Sequence, residues 1–342
     1  MSRRALLVAA AALCALASDA RGESVGDGRL RMGTVLEVQL EGAPAQDARA
    51  LLDALYAEVA AEETLFSSFD AESAVSALNA HSGEGAREVP ALLARLLAES
   101  KALGTLTRGT FDITVAPLVR LWAEAGKAGQ LPSADAIAAT RRHVGAANLV
   151  VDLEQRRVTL AHGSSVDIGG IAKGFALDRC AELLDGSPAL SGALLSFGQS
   201  SLYARGRAPD GVPWRVALRH PRGGFVGVIE LHDTSLSVSE SLGQDVEIGG
   251  RRFGHVLDPR SGRPLERPAL AAVVSSSGTR AEALSKALLI LGAREGIALL
   301  EHLPDAQGML VEADGRLSFT EGFRAATHFE PRSDPQPTHA PR

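Results

Sequence analysis

Apolar and polar positions alternate along residues 31–40, the period of a half-buried strand, and the pattern then becomes helical over 48–66. A second helical run covers 90–103. A shorter one covers 134–142, with Ser133 placed to cap it. Two β-rich runs within 149–160 flank Glu154-Gln155 and predict a hairpin. Between residues 193 and 238 short β-type runs alternate with turn residues such as Pro221-Arg222-Gly223-Gly224. Strands over 252–257 and 270–275, an apolar helix over 279–291 and a hairpin around Ala313-Asp314-Gly315 complete the series. Helices dominate the first third and strands the middle, which predicts an α+β fold. No repeat or long linker divides the chain, so one domain over 29–328 is expected, followed by a Pro-rich, disordered tail over 329–342.

The first twenty residues read as a signal peptide. Ser2-Arg3-Arg4 precedes an apolar run over 5–17, too short for a stable membrane span, and small residues follow it. Export is therefore expected, by the general route or the twin-arginine route, with a periplasmic or extracellular destination. Cys14 follows Leu13, bulkier than lipoprotein processing accepts, which favours a soluble product over a lipid anchor. Cleavage would leave Cys180 alone, so no internal disulfide can form and stability must come from the core. The net charge of −6 without a basic tract argues against nucleic acid as a partner.

Several segments carry candidate chemistry. In residues 166–175, Asp167, Gly169, Gly170 and Lys173 sit between apolar residues where a helix begins. Exposed amides, a helix N-terminus and a lysine suit a phosphate-bearing ligand, although an ordinary strand-to-helix turn has the same look. Met32-Gly33-Thr34 places a glycine within the opening strand, a bulge or a close approach by a ligand. Phe69, in Ser67-Ser68-Phe69-Asp70, either packs inside or stacks on a planar ligand. Residues 109–122 hold Thr110, Phe111, Asp112 and Thr114 in an apolar run, as a site or as a helix cap at Thr114 with Pro117 in the first turn. His255 precedes a Pro- and Gly-shaped turn, as a proton carrier or a surface residue. Glu282 and Lys286 lie four apart on a helix. They form an ion pair, or else Glu282 joins Ser285 in offering oxygens to a hard cation.

In this order the segments resemble the ApbE family of FAD:protein FMN transferases. The resemblance runs over residues 31–323 and rests on Met32-Gly33-Thr34, Ser67-Ser68-Phe69, residues 109–122, residues 166–174 with Asp178, residues 214–221, residues 255–264 and residues 281–292. It implies a single α+β domain around a mixed, mainly antiparallel sheet. It also implies transfer of FMN from FAD to a Thr or Ser hydroxyl of an exported flavoprotein, with AMP leaving and magnesium assisting. By position, Met32, Phe69, Thr110, Phe111, Asp112, Asp167, Lys173 and Leu257 would line the FAD site. The Gly170 carbonyl would bind metal, and His255 would sit by the pyrophosphate as a proton carrier.

Two departures qualify the resemblance. Where the family has Asp and, four residues on, Thr as metal ligands, this chain has Glu282 and Lys286. A charged ammonium has no lone pair to offer a metal. Lys286 therefore either occupies the metal's place or turns aside, leaving Glu282 and Ser285 as a weaker site. Gln199 stands where a second glycine is usual and would crowd the ligand. The alternatives to transfer are a non-catalytic FAD-binding homologue and hydrolysis of the FAD pyrophosphate.

Overall fold

A computed structural model describes residues 23–242 and 245–332. The signal segment, Cys14 included, and residues 333–342 lie outside the described residues. The centre is an eight-stranded sheet. From edge to edge it runs Ser24–Arg31, Thr34–Glu41, Gly192–Phe197, Ser201–Gly206, Thr234–Glu240, Ala269–Ser275, Ala306–Glu312 and Leu317–Phe319. Each of these pairings is antiparallel, in keeping with the α+β expectation.

The alternating stretch at residue 31 is the second arm of a hairpin rather than an isolated strand. Arg31 pairs with Thr34, which leaves Met32 (φ 47) and Gly33 (φ 74) as a two-residue turn. Positive φ at both positions matches the twist of the flanking strands. Met32-Gly33-Thr34 is thus a hairpin tip and not a glycine inside a strand.

On one face of the sheet Leu36, Val38 and Leu40 pack against the helices Ala45–Phe66 and Ala172–Asp185, through Leu55, Tyr56, Leu177 and Cys180. Every residue of Ala269–Ser275 is buried, because this strand is covered on both sides. Ala271 and Val273 meet Leu284 and Leu288 of the helix Gly278–Glu301. Leu270, Ala272 and Val274 meet a second layer that contains Trp214, Ile229 and Phe323. That layer includes the three-stranded sheet Trp214–Arg219, Phe225–Leu231 and Glu330–Pro331. The ordered part therefore extends past residue 329: Phe329 is buried, and Glu330 and Pro331 pair with Val228 and Gly227.

A smaller lobe packs the helix Ala91–Leu106 against the strands Arg87–Glu88, Arg157–Leu160 and Leu149–Asp152. The hairpin expected at 149–160 is these last two strands, and Ser133 caps Ala134–Arg141 by accepting from the Ala136 amide at 3.1 Å. The apolar helix predicted over 279–291 continues to Glu301 across a break at Gly292 (φ 76, ψ −175). The left-handed φ there favours glycine, and a Cβ would also push aside Nη2 of Arg267, 2.7 Å away.

Two helices cross where the candidate segments meet. A Cβ on Gly174 would stand 2.3 Å from the Gly278 carbonyl oxygen, and one on Gly278 would stand 2.6 Å from that of Gly174. Only glycines allow the backbones so close. Asp178 fastens the crossing by accepting hydrogen bonds from the Ser277 hydroxyl (2.7 Å), the Gly278 amide (2.5 Å), and the Thr279 amide (2.9 Å) and hydroxyl (2.6 Å). These are the orphan donors at the start of Gly278–Glu301, where a carboxylate also complements the helix dipole.

Candidate functional site

The turn before the helix Ala172–Asp185 is held from outside its own segment. The Asn79 side chain donates to the Val166 carbonyl at 2.9 Å and accepts from the Val166 amide at 2.7 Å, which copies one rung of a sheet. The Asp167 amide donates to the Ile113 carbonyl at 2.7 Å. Asp167 Oδ1 accepts from the Gly169 amide at 2.9 Å, closing a short turn that leaves Gly169 exposed. Ile168 and Ile171 are buried and anchor the turn to the smaller lobe. We expect Asn79→Ala to lower unfolding stability by about 1–3 kcal/mol, since both Val166 groups would lose their partners; urea denaturation measures this, and a change under half that lower bound would refute the role.

Lys173 projects from the first turn of the helix, with Nζ 3.4 Å from the Ser200 hydroxyl. Ser200 lies in the tight connection after Phe197, where Gly198 (φ 55) and Gln199 (φ 66) are both left-handed. A Cβ on Gly198 would meet Thr34 Oγ1 at 2.5 Å. Gln199 is drawn aside, since its amide oxygen accepts from Arg219 at 2.9 Å.

Across from this turn stands the helix Gly278–Glu301. The crossing at Gly174 puts Lys286 directly over Gly170: its Cε and Cδ lie 3.0 and 3.4 Å from the position a Gly170 Cβ would take. Lys286 Nζ pairs with Oε2 of Glu282 and donates to the Glu282 carbonyl at 3.2 Å. The other carboxylate oxygen of Glu282 accepts from the Ser201 hydroxyl. Ser285 faces the sheet, where its hydroxyl bonds those of Ser237 (2.9 Å) and Ser239 (2.8 Å) and donates to the Glu282 carbonyl at 3.0 Å.

This donor set does not fit magnesium. Both oxygens of Glu282 are engaged, Ser285 is turned to a buried hydroxyl cluster, and methylenes fill the space over Gly170. Magnesium is held by one or two free carboxylate oxygens together with waters and phosphates, and an ammonium supplies no oxygen at all. Among the described residues no group of three or more His, Cys, Asp and Glu side chains gathers to hold a metal. Glu282, Ser285 and Gly170 thus do not form the cation site expected of them.

His255 follows Gly254, whose Cβ position would overlap the Ser241 carbonyl at 2.0 Å, so the chain passes unusually close to its neighbour. The surrounding protein holds the imidazole pKa below its usual range, and the positive charges of Lys286 and Lys173 lower it further against the opposing pull of Asp245. His255 is exposed, within electrostatic reach of both lysines, and its depressed pKa keeps it neutral near pH 7.

The remaining predicted contacts divide. The Thr110 hydroxyl is buried and donates to the Thr107 carbonyl at 2.8 Å, and the Phe111 ring belongs to the core. Asp112 caps a short 3-10 turn, Ile113–Val115, by accepting from the Thr114 amide (2.8 Å) and hydroxyl (2.6 Å). The cap is thus Asp112 rather than Thr114, and Pro117 does sit in the first turn of the following helix, Ala116–Ala128. Leu257 packs with Trp122 and Phe253. Met32 donates its amide to Glu63 Oε1 at 2.7 Å, near the helix end from which the Phe69 loop departs, and Phe69 is 99% exposed. Sequence reading missed the anchoring roles of Asn79, Asp178 and Ser201. The partners of Asn79 and Asp178 lie 87 and about 100 positions away, beyond the reach of any local pattern. Two surface clefts of about 420 and 310 Å³ open elsewhere, the first beside Arg120 and His143, the second beside Arg95 and Asp178, and neither is lined by a predicted FAD contact.

The fold and the glycine-built turn define an α+β protein in which two crossing helices bring Lys286 over the turn that precedes Lys173. The ApbE family model matches residues 32–310, and the chain belongs to that family. It is 29% identical to the FAD:protein FMN transferase of Escherichia coli K12, over 78% of this chain and 81% of that protein. It is also 29% identical to the one from Klebsiella pneumoniae, over 90% and 88%. The crystal structure of the Pseudomonas stutzeri flavinyl transferase ApbE, apo form, superposes with a TM-score of 0.77 at 29% identity, covering 90% of this chain and 98% of that one. The Thermotoga maritima apbe protein gives 0.80 at 25% identity, covering 89% and 99%.

Proposed function

We propose that the protein transfers the FMN half of FAD to a Thr or Ser hydroxyl of an exported flavoprotein, in the periplasm or outside the cell. The names of its relatives support the activity. The single structural observation that carries it is the placement of Lys286 over Gly170, in the same Asp167–Gly170 turn that leads into the helix bearing Lys173.

In the reaction the acceptor oxygen attacks the phosphorus of the FMN half. The bond from that phosphorus to the bridging oxygen breaks, AMP leaves with the bridging oxygen, and the hydroxyl proton passes to a ring nitrogen of His255. One extra negative charge develops on the phosphates. Lys173 and the remaining N–H of Lys286 would meet that charge as it grows, and fixed donors of this kind stabilise it without reorganising. Met32 and Phe69 would bracket the isoalloxazine, and Asp167 would meet a polar ring edge.

Incubation with FAD and candidate exported flavoproteins should give flavin fluorescence on the acceptor band of a denaturing gel. An unlabelled acceptor, with FAD still bound to the protein, would leave a non-catalytic FAD-binding protein, and release of free FMN would indicate pyrophosphate hydrolysis. His255→Gln should slow transfer roughly 10²-fold with little change in FAD affinity. Because the proton carrier must start neutral and its pKa is depressed, the rate should stay flat above the ordinary histidine range and fall only on a more acid limb. An acid limb at or above pH 6.5 would exclude His255 from that role.

A further inference from the structure

We propose that Lys286 is a built-in substitute for a divalent cation, so that this site binds the diphosphate of FAD without metal. The inference deepens the FAD-binding reading above and rests on it. Four observations converge on Lys286. Its stem fills the space over Gly170, with Cε 3.0 Å from the site of a Cβ there. Its ammonium is locked by Glu282, whose side chain is 6% exposed against 21% for Lys286, so the i,i+4 pair is half-buried, with the lysine on its outer side. Ser201 occupies the second oxygen of Glu282. Ser285, the nearest hydroxyl on the helix, is committed to Ser237 and Ser239. The side-chain oxygens of Glu282 and Ser285 are thus all engaged, and Glu282 holds the Lys286 ammonium in place.

An ammonium has three N–H donors, and two are used on Glu282. The third has no protein partner among the described residues, and it is the one a phosphate oxygen would take. Glu282 is therefore a positioning residue. It holds Lys286 across the turn and offsets part of its charge, so the diphosphate is met by Lys173 in full and by one N–H of Lys286. A single lysine neutralises less charge than a divalent ion. The gain is permanence, because the charge cannot be removed by a chelator.

Equilibrium dialysis of FAD against the full chain, in EDTA and in magnesium chloride, tests this. The expected result is an affinity in EDTA within about threefold of that in magnesium, below the tenfold that 1.4 kcal/mol represents. Lys286→Met alone would strand a buried carboxylate, so the informative variant is Glu282→Gln with Lys286→Met, which keeps the volume and removes both charges. Its FAD affinity in EDTA should fall about tenfold or more, with thermal unfolding showing a folded protein. FAD binding that requires magnesium, or a double variant that binds FAD in EDTA like the parent, would overturn the proposal. Chelator-insensitive binding without FMN transfer to any acceptor would sink the transferase reading and leave this one standing.

Discussion

Replacing the half-buried Asp178 with alanine should cost about 2–4 kcal/mol of unfolding stability, since hydrogen bonds to a charged group are worth about 1.5–3 kcal/mol each and water can reach part of this site. Four donors lose their acceptor at once: the hydroxyls of Ser277 and Thr279, and the amides of Gly278 and Thr279. These amides open the helix that carries Glu282 and Lys286, and the clamp spans from the helix that carries Lys173. Loss of Asp178 should therefore weaken FAD binding as well, because the Gly174–Gly278 crossing that sets the distance between the two lysines would loosen. Urea denaturation measures the first effect and FAD titration the second. A variant within about 1 kcal/mol of the parent, a change ordinary for a surface substitution, would show that the helix start is satisfied by water instead.

The second large effect depends on pH. Glu62 is fully buried in the helix Ala45–Phe66, and neither carboxylate oxygen has a hydrogen-bond partner. Burial, with help from Glu58 and against the pull of Arg179, pushes its pKa up to about 8. A carboxyl with a raised folded pKa contributes stability that is complete below its unfolded pKa of about 4.5 and is lost as pH climbs through the folded value. A group that ionises only in the unfolded chain costs about 1.4 kcal/mol for each pH step between those two values, levelling off near the upper one, so raising the pH from 5 to 8 should cost the parent about 3.5 kcal/mol through Glu62 alone. Glu62→Gln cannot ionise and should remove that slope. Urea midpoints at pH 5 and 8 for parent and variant give the comparison, and equal slopes would mean that Glu62 finds a partner or water when it ionises. The neighbouring Cys180 thiol is also pushed up by burial, first, and then by Glu62 and Glu58, so it remains protonated and inert in this pocket.

Much of the fold was legible because its signals are local. The periods of 2 and 3.6 located the Thr34–Glu41 strand and the helices Ala45–Phe66, Ala91–Leu106 and Ala134–Arg141. Gly-rich turns marked the strand ends. The hairpin tip at Met32-Gly33 was misread because the strand before it, Ser24–Arg31, is largely exposed and carries little apolar alternation. Likewise Thr110 and Phe111 look like site residues in a motif, yet their side chains serve the core, because a segment that lies along a ligand must also be held from behind.

The chain by itself determined the family, the α+β class, the turn at Asp167–Gly170 with Lys173, and the anomaly of a lysine in a place of oxygen ligands. These are matters of residue identity and spacing, and both are written in one dimension. Only the tertiary structure decided what that lysine does. Whether Lys286 turned aside or lay over Gly170 depended on a helix crossing between residues 104 positions apart in the chain, permitted by the missing Cβ atoms of Gly174 and Gly278 and clamped by Asp178. Close approach of two backbones and the sharing of a buried carboxylate are pairwise facts across the fold, and no period or composition encodes them.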